Sequence, residues 1–243
     1  MKAILLIGGL GTRLRPLTLT TPKPLLPILD QPFVAFQLDF LRRMGFHDIV
    51  LCTSYRAEDF RQTLGDGQRY GVHIDYVHEE TALGTGGAIK NAERFMNGPT
   101  LICNGDILMS LNLRELADFH KRKKAAATLA LTKVDDPGAY GVVETDVEGR
   151  VERFVEKPAP GETMSHTISA GAYVFEKETV ALIPPGVVHS VERELFPTLL
   201  AKRQLYGKEL AGYWLDVGTL EKYEQAQRDV SRGRYPYRPE AVR

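Results

Sequence analysis

At 243 residues the chain suits one large domain or two small ones. Its 43% hydrophobic and 26% charged residues fit a buried core under a polar surface. Lys+Arg 31 balances Asp+Glu 31, so no global field draws nucleic acid or an anionic membrane towards it, and any anion site must be local.

The apolar run Ile4 to Ile7 is a strand that empties into Gly8-Gly9-Leu10-Gly11, too short for a signal peptide. No stretch approaches the roughly 20 apolar residues of a spanning helix. After Pro32, the stripe Phe33, Phe36, Phe40, Leu41, Met44 predicts a helix stopped at Gly45. Ile49–Thr53 reads as a strand, Ala57–Leu64 as a helix closed by Gly65-Asp66-Gly67, and Val72–Val77 as a strand. Leu83–Gly87 reads as a second glycine-rich turn, with a helix from Ala88 to Phe95 and a strand from Pro99 to Cys103. Asn112 with Glu115 three residues on forms a capping box for a helix through His120. Its basic end, Lys121-Arg122-Lys123-Lys124, suits the helix dipole and reads as solvated rather than as a nucleic-acid patch.

The second half changes character. Thr128–Thr132, Gly141–Thr145, Val151–Glu156 and Ile168–Phe175 are β-rich runs, followed by helices from Ser190 and Thr219. The tail 231–243 has no periodicity and reads as frayed. The expected class is α/β: a Rossmann-like, mostly parallel sheet with helices on both faces and a small antiparallel β extension. The expected organisation is one domain over 1–230, with halves at about 1–125 and 126–230. Cys52 and Cys103 each close an apolar run and read as free thiols in a reducing compartment, placing the protein in the cytoplasm.

Chemistry concentrates in a few stretches. Glycines at 8, 9 and 11 let the backbone approach a phosphate and present N–H groups. Arg13 and Arg15 offer planar forks of donors, and Lys23, between Pro22 and Pro24, adds a point charge. A P-loop is excluded because Thr12-Arg13 follows Gly11. A dinucleotide fingerprint is excluded because Leu14 stands where its third glycine belongs, which argues against an NAD-dependent oxidoreductase. Asn104-Gly105-Asp106 and Trp214-Leu215-Asp216-Val217-Gly218 each place a carboxylate at a strand end, where open α/β sheets bind ligands. Two such groups can hold one hard cation such as Mg²⁺. Turn capping serves either Asp equally well, and spacing alone does not show that they meet. Phe154-Val155-Glu156-Lys157-Pro158 sets an acid and a base at a strand end, which without context is a solvated pair.

Gly9-Leu10-Gly11-Thr12-Arg13-Leu14 with Pro22-Lys23-Pro24 closely resembles the G-x-G-T-R-[LM]…P-K-P motif of the sugar-1-phosphate nucleotidyltransferases, and the resemblance extends from Lys2 to about Val230 with every motif in family order. It implies the nucleotide-diphospho-sugar transferase fold and a Mg²⁺-dependent transfer from an NTP to a sugar 1-phosphate. It implies nucleotide contacts from Leu6, Gly8, Gly9, Gly11, Thr12, Arg13, Lys23, Glu80, Gly84, Thr85, Asn104 and Asp106. The N-G-D and D-V-G motifs imply metal ligands Asp106 and Asp216. Tyr140-Gly141-Val142, the E-K-P motif and Ile168-Ser169-Ala170-Gly171 imply sugar-phosphate contacts from Gly141, Glu156, Lys157, Ser169, Ala170 and Gly171. Ser169 departs from the family's asparagine and can make one hydrogen bond where the amide makes two. The implied catalytic set is Arg13, Lys23, Asp106, Lys157 and Asp216.

Glu79-Glu80 before Leu83-Gly84-Thr85-Gly86-Gly87 is closer to the guanylyl-transferring members, because a carboxylate accepts from guanine N1–H and its exocyclic amine. Ser190–Pro197 and Gly212–Thr219 also resemble members that join GTP to mannose 1-phosphate, forming GDP-mannose and pyrophosphate. UTP or dTTP with glucose 1-phosphate is the near alternative. Gly65-Asp66-Gly67 before Tyr70-Gly71 is similar to heptose-1-phosphate members. A regulatory, non-catalytic nucleotide-sugar-binding subunit is a further alternative, against which the retained charged set argues. The hexapeptide repeats of the family's C-terminal β-helix are not in this sequence. A monomer and a homo-oligomer both stay open.

Overall fold

The computed structural model describes residues 1–239. Strand β1 (Ala3–Leu6) is followed by three short 3₁₀ turns, the last over Lys23–Leu25, and by the two-residue pair β2 (Pro27–Ile28) and β3 (Gln31–Pro32). Helix α1 (Phe33–Arg43) buries the stripe read from the sequence, and Gly45 at φ 86° turns the chain into β4 (Asp48–Thr53). Then come α2 (Ala57–Leu64), β5 (His73–His78), α3 (Gly84–Asn91), β6 (Thr100–Asn104) and β7 (Ile107–Met109). Helix α4 (Leu113–Lys123) opens where the Asn112 side chain accepts from Glu115 N at 3.3 Å. Strands β8 (Ala127–Lys133), β9 (Gly141–Thr145), β10 (Val151–Glu156) and β11 (Thr167–Phe175) follow. Helices α5 (Lys177–Val180) and α6 (Phe196–Ala201) precede β12 (Leu205–Glu209), β13 (Trp214–Asp216) and α7 (Leu220–Ser231).

The chain packs as two interleaved units. The first holds Met1–Ala82, Cys103–Leu111 and the chain from Gly212; the second holds Leu83–Ile102 and Asn112–Ala211. Packing therefore divides the chain differently from the linear halves read from the sequence. In the first unit β1, β4 and β5 run parallel, with Ile4 level with Val50. Strand β7 pairs antiparallel with β13, and Leu108 and Leu215 on them join Phe33, Phe36, Ala226 and Val230 in one buried cluster. In the second unit β10, β9, β11 and β8 are antiparallel neighbours and β12 lies parallel to β8. Phe154, Tyr173, Phe175 and Phe196 interlock edge to face there, an arrangement that suits the quadrupoles of the rings.

Three readings are corrected. Helix α3 starts at Gly84, so Leu83–Gly87 is its cap and first turn rather than a separate loop. Ile107–Met109, which the sequence reading left unassigned, is a strand completed by a partner a hundred residues away. The helix from Ser190 opens as a π-helical turn over Val191–Leu195 before α6. The tail is not frayed as far as it is described. Tyr235 is buried, its hydroxyl donates to Met109 O at 3.3 Å, and Tyr237 stacks on Phe40 with centroids 5.9 Å apart. Residues 240–243 of that expectation lie outside the described residues. Among the described residues neither cysteine forms a disulfide, both are buried, and burial pushes the Cys103 thiol up to about 12. Among the described residues no helix is long and apolar enough to cross a membrane.

Tyr235 locks the tail onto the cluster beneath β7 and β13. Tyr235→Ala should cost about 3–5 kcal/mol in urea unfolding, whereas Tyr235→Phe, which loses only the hydroxyl, should cost about 1 kcal/mol. A wild-type midpoint for Tyr235→Ala would mean that the tail carries no stability.

Candidate functional site

Strand β1 ends among buried neighbours, and the glycine turn that follows is shaped by close approaches. Ser54, beyond the end of β4, donates its hydroxyl to Gly8 O, and a Cβ on Gly8 would come within 3.0 Å of Ser54 Oγ. Gly11 has φ +60°, and a Cβ there would meet the Lys23 Cβ at 3.0 Å and Thr18 Cγ2 at 3.1 Å. Its carbonyl accepts from Thr18 Oγ1 and from Leu14 N, each at 2.9 Å. The turn thus lies on the stem of Lys23, which is buried, while buried Leu14 anchors a 3₁₀ turn that leaves Thr12 and Arg13 exposed. Gly9 faces open space.

The two aspartates are brought together in the same unit. Gly105 N donates to Leu6 O at 2.8 Å, and any Cβ on Gly105 would fall 2.4 Å from that oxygen, so only glycine seats Asp106 beside the end of β1. The β7–β13 register sets Asp216 opposite Ile107, and Val217 N donates to Asp106 O at 2.9 Å. Lys23 Nζ lies 3.2 Å from Asp106 Oδ2. A Cβ on Gly218 would stand 3.1 Å from an Arg13 guanidinium nitrogen and 3.0 Å from Asp216 Oδ1, so glycine keeps room for both. Burial raises the Asp216 carboxyl above its ordinary value, the Asp106 charge raises it further, and Lys23, Arg13 and Lys222 oppose both. Among the described residues no cluster of three or more His, Cys, Asp or Glu groups exists, but a divalent cation needs only such a pair when phosphate oxygens and waters complete its shell. The donor set is all oxygen and the paired charges repel, which fits Mg²⁺.

The sequence reading missed two supports. Gln37 reaches from α1 to donate Nε2 to Ile107 O at 2.9 Å and Asn104 O at 3.3 Å, clamping the aspartate turn. It was hidden inside an apolar helical stripe. Ser54 lay in an unremarkable loop. The Asn104 Oδ1 atom is buried and has no partner among the described residues. Of the two acids considered for a base, Glu80 is exposed, whereas Glu79 is buried, its Oε1 likewise without a partner among the described residues and its carboxyl raised by burial.

The second unit gathers the remaining residues. Glu156 and Gly141 are register partners, and a Cβ on Gly141 would lie 2.6 Å from Phe154 Cζ and 3.0 Å from Glu156 Oε2. Lys157 adopts a left-handed φ of 53°, unusual for a lysine, with its N–H held by Tyr140 O at 2.9 Å. Ser169 sits where the β11–β8 register slips, with Gly171 at φ 70° and Ala170 buried between them, and Ser169 Oγ is buried without a partner among the described residues. Gly84 and Gly86 are needed for packing: Cβ atoms there would fall 2.7 Å from His189 O and 2.3 Å from His189 Nδ1. Thr85 is engaged by the protein itself, its hydroxyl donating to Glu192 Oε2 at 2.9 Å.

Residues 2–233 match the nucleotidyl transferase family. The chain belongs to that family. It is 45% identical over 239 residues to mannose-1-phosphate guanylyltransferase of Mycobacterium tuberculosis, which covers 97% of this chain and 66% of that protein. Against mannose-1-phosphate guanyltransferase of Saccharomyces cerevisiae the identity is 42%, over 90% of this chain and 61% of the relative. The chain thus spans less than two thirds of the length of these relatives. The crystal structure of HddC from Yersinia pseudotuberculosis complexed with GMP-PN superposes with a TM-score of 0.79 at 26% identity, covering 94% of this chain and 99% of that one. The chain therefore shares the fold of that structure, and its own mixed α/β architecture is the class expected from the sequence.

Because the Asp216 carboxyl is raised, the native state holds its proton more tightly than the unfolded chain does. Its charge therefore weakens the fold as pH rises from the ordinary aspartate range through the raised native one. Metal-free Asp216→Asn should melt above wild type at pH 7, with the gap closing towards pH 3. Added Mg²⁺ should raise the wild type alone. A variant that melts below wild type at pH 7 would contradict this.

Proposed function

We propose that the protein transfers a nucleotidyl group from an NTP, with GTP favoured, to a sugar 1-phosphate, with mannose 1-phosphate favoured, releasing pyrophosphate. The observation that carries the reading is the cluster of Lys23, Arg13, Asp106 and Asp216, two cations and two carboxylates gathered where the glycine turn leaves β1. In this reading the turn's N–H groups and Arg13 hold the β- and γ-phosphates, and Lys23 neutralises the phosphate nearest Asp106. Asp106 and Asp216 would hold Mg²⁺, which when bound supplies positive charge to the phosphate oxygens. Lys157 receives the sugar phosphate, while Glu156, Gly141 and the Ser169–Gly171 stretch receive the sugar.

The sugar phosphate is an oxyanion at neutral pH, so no base need deprotonate it. Its oxygen forms the new bond to the α-phosphorus as the bond from that phosphorus to the bridging oxygen breaks. Pyrophosphate leaves with the electron pair. The protein's part is in-line placement and neutralisation of the departing charge.

The preference for GTP rests on Glu79 rather than Glu80. A buried carboxylate with a spare oxygen can accept from the adjacent N1–H and amine of guanine, whereas the carbonyls beside N3–H in uracil and thymine would repel it. The names of the relatives support the same pair of substrates. A cytoplasmic location, where NTPs are held, belongs to this proposal.

Pyrophosphate release with Mg²⁺ should be measured for GTP, UTP, dTTP, ATP and CTP against mannose, glucose and heptose 1-phosphates. GTP with mannose 1-phosphate should be the productive pair. Asp106→Ala, and Asp106→Asn as the variant that keeps the shape, should lose about 100-fold or more in kcat. No turnover from folded protein that still binds a nucleotide sugar would favour a regulatory subunit.

A further inference from the structure

Glu192 lies in the second unit, outside the proposed reaction scheme. It belongs to the π-helical turn Val191–Leu195, whose preceding Ser190 accepts from Arg193 N at 3.3 Å. A single oxygen, Glu192 Oε2, accepts from Thr85 Oγ1 at 2.9 Å and from Ser190 Oγ at 2.8 Å. Thr85 Oγ1 accepts in turn from Val191 N at 3.0 Å. The first turn of α3 is thereby tied to the segment 189–192, and Gly86 N adds a bond to His189 O at 2.8 Å. Phe196, which follows the π turn, meets Phe154 of β10 with ring centroids 5.2 Å apart, so the turn lies against the strand that ends at half-buried Glu156, and the Glu192 charge acts on that acid. Burial raises the Glu156 carboxyl first and Glu192 second, while Lys157 and Arg193 lower it.

An amide would serve as well as a carboxylate if Glu192 only held Thr85 and Ser190. Setting a second negative charge beside a desolvated acid is unfavourable for folding alone, and like-charge pairs of this kind mark places where ionisation is tuned for use. We propose that Glu192 is a positioning residue that fixes the glycine-rich start of α3 through Thr85 and sets the charge state of the sugar-side acid Glu156. The inference rests on the nucleotidyl-transfer reading for its kinetic consequences, but not for its physical ones.

Two variants separate the roles. Glu192→Gln keeps an acceptor for Thr85 and removes the charge; Glu192→Ala removes both. Ionised Glu156 is the form that accepts from sugar hydroxyls, so activity falls as pH drops through its titration. With the neighbouring charge gone, Glu156 ionises more readily. In Glu192→Gln the acid limb of kcat/KM for the sugar 1-phosphate should therefore move to lower pH, while KM for the NTP stays within about twofold of wild type. In Glu192→Ala the limb should move likewise and KM for the NTP should rise about tenfold, the scale of one charge-assisted hydrogen bond. Should Glu192→Ala fail to fold, Thr85→Val reads the second arm and should raise the same KM. Carbon-13 NMR titration of the Glu156 carboxyl, wild type against Glu192→Gln, reads the electrostatic arm without turnover. A downward shift there supports the proposal even if wild type transfers no nucleotidyl group with any pair, the result that would sink the reaction reading alone. An unshifted Glu156 overturns the proposal, as does an NTP KM raised equally by both Glu192 variants.

Discussion

The ion pair of buried Lys23 with the more exposed Asp106 is the interaction on which the first unit's charged cluster depends. Lys23 is among the few buried charged residues, and its partner is exposed enough to meet a ligand. A buried ammonium without a counter-charge is costly, so the lysine and the aspartate must be delivered to the same point by separate parts of the chain. Lys23 is delivered by a 3₁₀ turn against which Gly11 lies, and Asp106 by a glycine that touches β1. Asp216 completes the group only because β13 pairs with β7. There burial and the charge of Asp106 both disfavour an ionised Asp216, against the pull of Lys23, Arg13 and Lys222.

The glycines around the charged cluster and those at the start of α3 do different work. Those at 11, 105 and 218 allow backbone and charged side chains to approach within the first unit. Those at 84, 86 and 87 allow α3 to lie against the segment from Val187 to His189, where a single added carbon would collide with backbone or imidazole. Gly9, by contrast, faces open space. Sequence alone does not distinguish these uses, since all are written with the same letter.

Much of the architecture was legible because its period is local. The stripe of α1, the Asn112 cap of α4 and the buried run of β1 are each contained within a dozen residues, and each forms as its pattern predicts. The tail was misread because Tyr235 and Tyr237 have no periodic neighbours, and their burial depends on α1 and β7 presenting a place for them. Glu79 and Glu80 are chemically identical in sequence, and only the fold buries one and exposes the other.

The sequence by itself determined the α/β class, the family resemblance and the residue types able to handle phosphate. These follow from patterns read within one segment: periodicity, turn chemistry and motif spacing. The meeting of Asp106 with Asp216, the seating of Lys23, the clamp by Gln37 and the bond of Glu192 to Thr85 were decided only by tertiary structure. Each joins residues far apart in the chain. Such contacts are set by strand register and by the packing of buried faces, neither of which any single stretch contains.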